Sequence, residues 1–290
     1  MRFIILAMIF GAAFVSVDGA EPKPALPPVP EVLKPLKASI SNRNDVGLTI
    51  SLQSDTPLTE AQWSAVEALH IRSFMLNNNV SDDAAMARLV KIDPVALQFG
   101  HSPMTDAGAA KFAEMKSLKV LRMSHTDKLT PRSAVALADH PSLEVFANDG
   151  KFGIGGMAEI VKARHLREML LQHGVSGDAN IALLAHHPSL EVLHLWPHGT
   201  ATLTDAAIPS LATIPNLREL SLEFSVFTYA GGLHYLKDCP KLTKLTLTED
   251  AISQEDLAKL KADLPKVTIT FTPMKPEYRA QWDAWAAKKK

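Results

Sequence analysis

From Pro188 to Leu222 the chain reads PSLEVLHLWPHGTATLTDAAIPSLATIPNLRELSL, which states one pattern nearly twice. Each copy is a proline, a spacer and then L-x-x-L-x-L. Leu190, Leu193 and Leu195 fill the first copy and Leu217, Leu220 and Leu222 the second. Taking the fourth position of the pattern as a register mark gives Ile50, Phe74, Leu97, Leu121, Phe146, Met169, Leu193, Leu220 and Leu245. The successive gaps are 24, 23, 24, 25, 23, 24, 27 and 25 residues. So constant a period restricts the chain to stacked strand-and-helix units, because one such unit cannot bury its apolar face alone. Val267 to Phe271, alternating Val, Ile and Phe with Thr, predicts a tenth strand that closes the array.

The second half of each repeat is equally regular. Ser81-Asp82, Thr105-Asp106, Thr204-Asp205 and, in weaker form, Ser253 with Glu255 predict helix starts. There a side-chain oxygen caps free backbone N–H groups and a carboxylate suits the positive helix end. Apolar residues follow at helical spacing, as in Ala207, Ile208, Leu211 and Ile214, before a proline or polar break. Strand, turn, helix and parallel strand predict an α/β solenoid with a curved parallel sheet on its concave side and short helices on its convex side.

The phrases LTDAAIPSLATIPNLRELSL and LHYLKDCPKLTKLTLTEDAIS resemble the cysteine-containing class of leucine-rich repeat, whose helix ends in Cys-Pro before the strand. The resemblance covers roughly Val46 to Phe271, and it implies a repeat domain over residues 38–273. It is specific for fold and silent on ligand, since such repeats serve unrelated recognition tasks. Similar repeats occur in F-box substrate receptors. No F-box-like helical segment precedes these repeats and the N-terminus reads as a signal for export, so secreted bacterial leucine-rich repeat proteins are the nearer likeness. The pattern departs from the consensus at Asn148, in place of the third strand leucine, and at the glycine-rich turn Lys151 to Gly156, which predicts a distorted fifth repeat.

At its N-terminus the chain carries one Arg and then an apolar run from Phe3 to Val17, ended by Gly19 and Ala20; residues 1–20 read as a secretory signal peptide. Export to a secreted, periplasmic or cell-envelope location follows, with no membrane insertion after cleavage. Residues 21–37 hold six prolines and predict an extended, semi-rigid linker. Cys239 is the only cysteine, so no intramolecular disulfide assists the fold. Its position matches His140, His187 and Ile214 in other repeats, which predicts a small buried hydrophobe rather than a nucleophile. Thirty basic against 31 acidic residues provide no field that would recruit nucleic acid.

In this register the residues around the second and third leucines face the concave surface, which makes Arg122, Leu170, His194, Trp196 and Glu223 the candidate ligand-binding residues. The middle of that surface is apolar and its C-terminal side acidic, as a protein or peptide interface requires. His101, His125 and His173 lie four residues beyond their marks and His198 five, along one rim. Neighbouring strands are about 4.8 Å apart, so His101 and His125 are weak metal candidates that lack a third ligand and any zinc spacing. Gly153, Gly155 and Ala158 fit a dinucleotide-binding fingerprint in too short a unit to form one. Asn79-Val80-Ser81 is a formal glycosylation sequon whose asparagine falls at the inward ladder position.

No nucleophile–base pair, carboxylate pair or phosphate loop points to catalysis, and no cofactor is expected. In the tail, residues 274–290, Tyr278, Trp282 and Trp285 share one helical face, as a cap helix or a docking helix requires. The sequence thus predicts an exported, non-catalytic module that binds protein or peptide on its concave face. A carbohydrate or metal-ligand binder using the histidine rim and Trp196, and a structural spacer of an envelope assembly, are the alternatives.

Overall fold

The computed structural model describes residues 25–149, 153–197 and 202–288. The signal-peptide reading, His198 and the first two residues of the glycine-rich turn, 151 and 152, fall outside these residues, and the rest of that turn opens a helix. Eleven strands form one sheet in chain order. They are β1 (Ser39–Arg43), β2 (Gly47–Ser54), β3 (Ser73–Asn78), β4 (Ala96–Gly100), β5 (Val120–Ser124) and β6 (Val145–Asn148). After these come β7 (Glu168–Gln172), β8 (Val192–Trp196), β9 (Glu219–Glu223), β10 (Lys244–Asp250) and β11 (Thr268–Pro273). Only β1 and β2 pair antiparallel; every later pair is parallel.

The register marks align without a slip. Ile50, Phe74, Leu97, Leu121, Phe146, Met169, Leu193, Leu220, Leu245 and Ile269 form one column across the sheet. Between strands lie short helices: α1 (Glu60–Ala68), α2 (Asp83–Ile92), α3 (Asp106–Ala109), α4 (Gly153–Ile160), α5 (Asp178–Ala182), α6 (Ile208–Ala212) and α7 (Gln254–Asp263), with 3-10 turns such as Pro131–Leu137. Helix α8 (Pro276–Ala287) follows β11. A strand–helix unit so repeated is a one-dimensional array, the layout of a repeat solenoid. The column two residues on, from Leu52 to Leu247, holds the rest of the sheet's core face. Both columns are at most 2 % exposed from β2 to β10, and each fully buried Leu or Phe there contributes roughly 1.5–3 kcal/mol.

A second device joins the repeats. The backbone N–H and hydroxyl of Thr105 both donate to the Asp83 carboxylate, at 2.8 and 2.7 Å. Thr204 does the same to Asp178 (2.8 and 2.6 Å) and Thr228 to Asp205 (3.0 and 2.7 Å). Thr105 and Thr204 also cap their own turns, accepting from Ala107 and Ala206. The Thr-Asp pairs thus act differently from a plain helix start: the Thr caps its own repeat and the Asp binds the Thr of the next. Asp82, not Ser81, caps α2, through Ala85 N at 2.8 Å. Ser81 is buried and donates to the Asn78 carbonyl.

Three differences from the sequence reading have physical causes. Glu31–Leu36 is a 3-10 turn, and Leu33 and Leu36 are buried in the core, so this part of the proline-rich segment covers the first repeat instead of spacing it. The antiparallel strand β1 was not foreseen; its turn runs through Gly47 at φ +74°, a conformation that suits glycine. The fifth repeat keeps its place, since β6 holds register with β5 and β7 and Asn148 is buried opposite Leu171. Cys239 is buried and its thiol is pushed up to about 12, chiefly by burial. Gly155 lies in α4 against Pro131, inside a repeat helix.

Candidate functional site

The face of the sheet opposite the helices carries the candidate residues, on β5, β7, β8 and β9. Arg122, on β5, is half-buried, and its guanidinium pairs with Asp45 at 3.2 Å. Asp45 sits in the β1–β2 turn, which leans over this face. Arg43, at the end of β1, reaches past β2 to Met75 Sδ on β3 (3.4 Å) and Gln98 Oε1 on β4 (3.1 Å). Strands β3 to β5 of the open face are therefore crossed by side chains of the protein's own hairpin, an arrangement signalled in sequence only by Asn44-Asp45-Val46-Gly47.

Beyond the hairpin the face turns apolar. Leu170 lies in register between Ala147 and His194, with Val145 and Val192 diagonal to it on either side of Glu168. Leu170, Val192 and His194 are half-buried, as side chains standing on an open sheet are. Burial holds the His194 imidazole below its usual range, while Glu168 and Glu219 pull the other way. Glu223, on β9, has its carboxyl raised, first by burial and also by Glu249, against a hydrogen bond with Ser221.

The C-terminal rim of the strands is a row of rings. His101 and His125 stack at 4.3 Å between centroids. Further along, His173 stacks on Trp196 and Trp196 on Phe224, each at 6.3 Å, and Tyr278 of α8 meets Phe224 edge-on at 5.1 Å. Asn78, His101, His125, His173, Phe224 and Glu249 occupy the same place in their repeats, and all have φ between 51° and 64°. Asn and His tolerate this left-handed region better than most residues, which accounts for the uneven spread of histidine along the chain. Phe224 belongs to the same column, four residues after its mark, and sequence reading passed over it.

As for the metal candidates, stacked imidazoles send their in-plane nitrogen lone pairs side by side instead of toward one point. The His125 ring instead lies 3.3 Å from the Asp149 carboxylate, which also accepts from His125 N. Among the described residues no three His, Cys, Asp or Glu side chains converge as a metal site. Asn79 Nδ2 donates to the Asp55 carbonyl of the preceding repeat. Helix α8 crosses this rim: Lys275 pairs with Glu249 at 3.0 Å, and Tyr278 and Trp282 are half-buried while Trp285 is exposed.

No protein-family model matches the sequence, and neither does any curated protein. Among solved structures the chain is similar to a protein from Bacteroides fragilis at 14% identity and a TM-score of 0.46, over 77% of this chain and 75% of that one. It is also similar, at 14% identity and a TM-score of 0.49, to a chain of the Toll–Spatzle complex of Drosophila. That match covers 77% of this chain and 32% of the other.

Proposed function

We propose that the protein is a leucine-rich repeat solenoid of the cysteine-containing type, exported from the cell, whose open face binds a protein or peptide without catalysis. The observation that carries this reading is the apolar strip of Val145, Ala147, Leu170, Val192 and His194 standing on the sheet between the N-terminal hairpin and the rim crossed by α8. Glu168 stands between Val145 and Val192 in their row and Glu219 follows Val192 there, while Asp149 and Glu223 lie on the other side of the Ala147–Leu170–His194 row. An apolar centre with a charged border suits a polypeptide ligand. Burial of His140, Ile214 and Cys239 at equivalent ends of the repeat helices supports the repeat class.

The test is capture from the extracellular or envelope fraction by the mature protein and by a Leu170→Glu/Trp196→Ala variant of unchanged fold. A partner held by the first and released by the second is the expected result. Equal capture by both moves the site elsewhere, and capture by neither favours the carbohydrate or metal-ligand reading on the histidine rim, or the spacer.

A further inference from the structure

We propose that the outer edge of β11 is a dimer interface, where β11 of a second copy of this chain pairs antiparallel about a two-fold axis at Thr270.

Two features mark this edge as incomplete. In the two core columns of the sheet every residue from β2 to β10 is at most 2 % exposed, yet Ile269 and Phe271, which continue those columns on β11, are only half-buried. The opposite end of the array is covered by β1 and by the turn that buries Leu33 and Leu36. Edge strands are ordinarily blunted by charge, a bulge or an overlying helix. Thr-Ile-Thr-Phe-Thr carries no charge. Helix α8 leaves in the other direction, inward over Glu249 and Phe224.

The edge is also complementary to itself. Thr268 N donates to the Thr243 carbonyl at 2.8 Å. In the parallel ladder this turns the backbone groups of Thr268, Thr270 and Thr272 toward β10 and those of Ile269 and Phe271 outward. An antiparallel partner centred on Thr270 places Ile269 opposite the second copy's Phe271, and the reverse. Both are then hydrogen-bonded pairs, giving four backbone hydrogen bonds with no donor left over. Pro273 has no N–H to offer and ends the pairing. The same register joins Ile269 and Phe271 of both copies into one continuous core, and the isologous pairing uses up the β11 edge of both copies at once.

The experiment uses the full chain. Sedimentation velocity over a wide range of concentration is expected to show a reversible monomer–dimer equilibrium. Thr270→Glu sets two carboxylates opposite each other at the axis. It shifts that equilibrium at least about tenfold toward monomer with unchanged circular dichroism, because Thr270 is exposed on the open face. Two Thr270 residues in a non-hydrogen-bonded pair stand about 4.5 Å apart between Cα atoms, within disulfide reach. Thr270→Cys should therefore cross-link on mild oxidation, while Thr246→Cys on the neighbouring strand should not; buried Cys239 stays unreactive. A wild-type monomer at every concentration overturns the proposal. So does a dimer indifferent to Thr270→Glu, or cross-linking at Thr246→Cys as fast as at Thr270→Cys.

Discussion

The Asp-to-Thr bonds between repeats separate two accounts of the same residues by magnitude, and Asp178 shows how. If the carboxylate merely sits at the positive end of α5, Asp178→Ala removes a helix–charge interaction of about 0.3–1 kcal/mol. The geometry assigns it more, since it accepts both the backbone N–H and the hydroxyl of Thr204 at 2.8 and 2.6 Å. Hydrogen bonds to a charged group contribute about 1.5–3 kcal/mol each, and half-exposure of Asp178 reduces that, so about 2–4 kcal/mol is expected for the pair. At roughly 2–4 °C per kcal/mol for a chain of this size, the variant should melt several degrees lower. Urea unfolding and amide exchange at Thr204 provide the readout. A cycle with Thr204→Val isolates the side-chain bond, whose coupling should be about 1–2 kcal/mol. A total cost below about 1 kcal/mol with no coupling would refute the reasoning and return Asp178 to the helix-end role.

Three further outcomes follow from the burial pattern. His140 and His187 are buried in the core, and burial holds both imidazoles below their ordinary range. A depressed histidine is neutral when folded, so its contribution is full above the unfolded value of about 6.5 and is lost as pH falls below it toward the folded value. The melting temperature should drop between neutral and mildly acidic pH, and less so in His140→Gln/His187→Gln; a drop of equal size in that variant counts against the assignment. Asp250 is fully buried with one oxygen bonded by Ser225 N at 2.7 Å and the other without a hydrogen-bond partner, and burial raises its carboxyl well above the usual range. For a raised acid the sign reverses: its contribution is present below the unfolded value and is lost as pH rises through the folded one. Asp250→Asn should therefore stabilise the protein by about 1–2 kcal/mol near neutral pH, with the gain vanishing in acid. Leu193→Ala, at a fully buried mark in mid-array, should cost about 2–5 kcal/mol in urea unfolding.

What could be read from sequence was whatever repeats along it. Leu193, Leu220 and Leu245 recur because each strand must place the same side chain on the same core column, so the sheet and its register were legible down to single residues. Partners set by three-dimensional approach were not. Asp45 meets Arg122 across 77 positions of chain, and no periodicity encodes a turn folding over a sheet. The histidine rim was visible as a spacing, but its cause is a backbone dihedral shared with Asn78, Phe224 and Glu249, and only the set of six makes that cause evident. The Thr-Asp pairs were seen as local caps because sequence neighbours are easy to connect, whereas the bond that joins the repeats runs from Asp178 to a Thr 26 residues on.

The central claim is that recognition belongs to the open face of the sheet, and the most direct measurement titrates a captured partner against single variants spread over both faces. Arg122→Ala, Leu170→Glu, His194→Ala, Trp196→Ala and Glu223→Gln probe the open face, and Val135→Glu, exposed among the helical turns of the opposite face, is the control. The account predicts weakened binding that is strongest at Leu170, near the middle of the strip, and no change for Val135→Glu. Full affinity in every open-face variant together with loss at Val135 would contradict it.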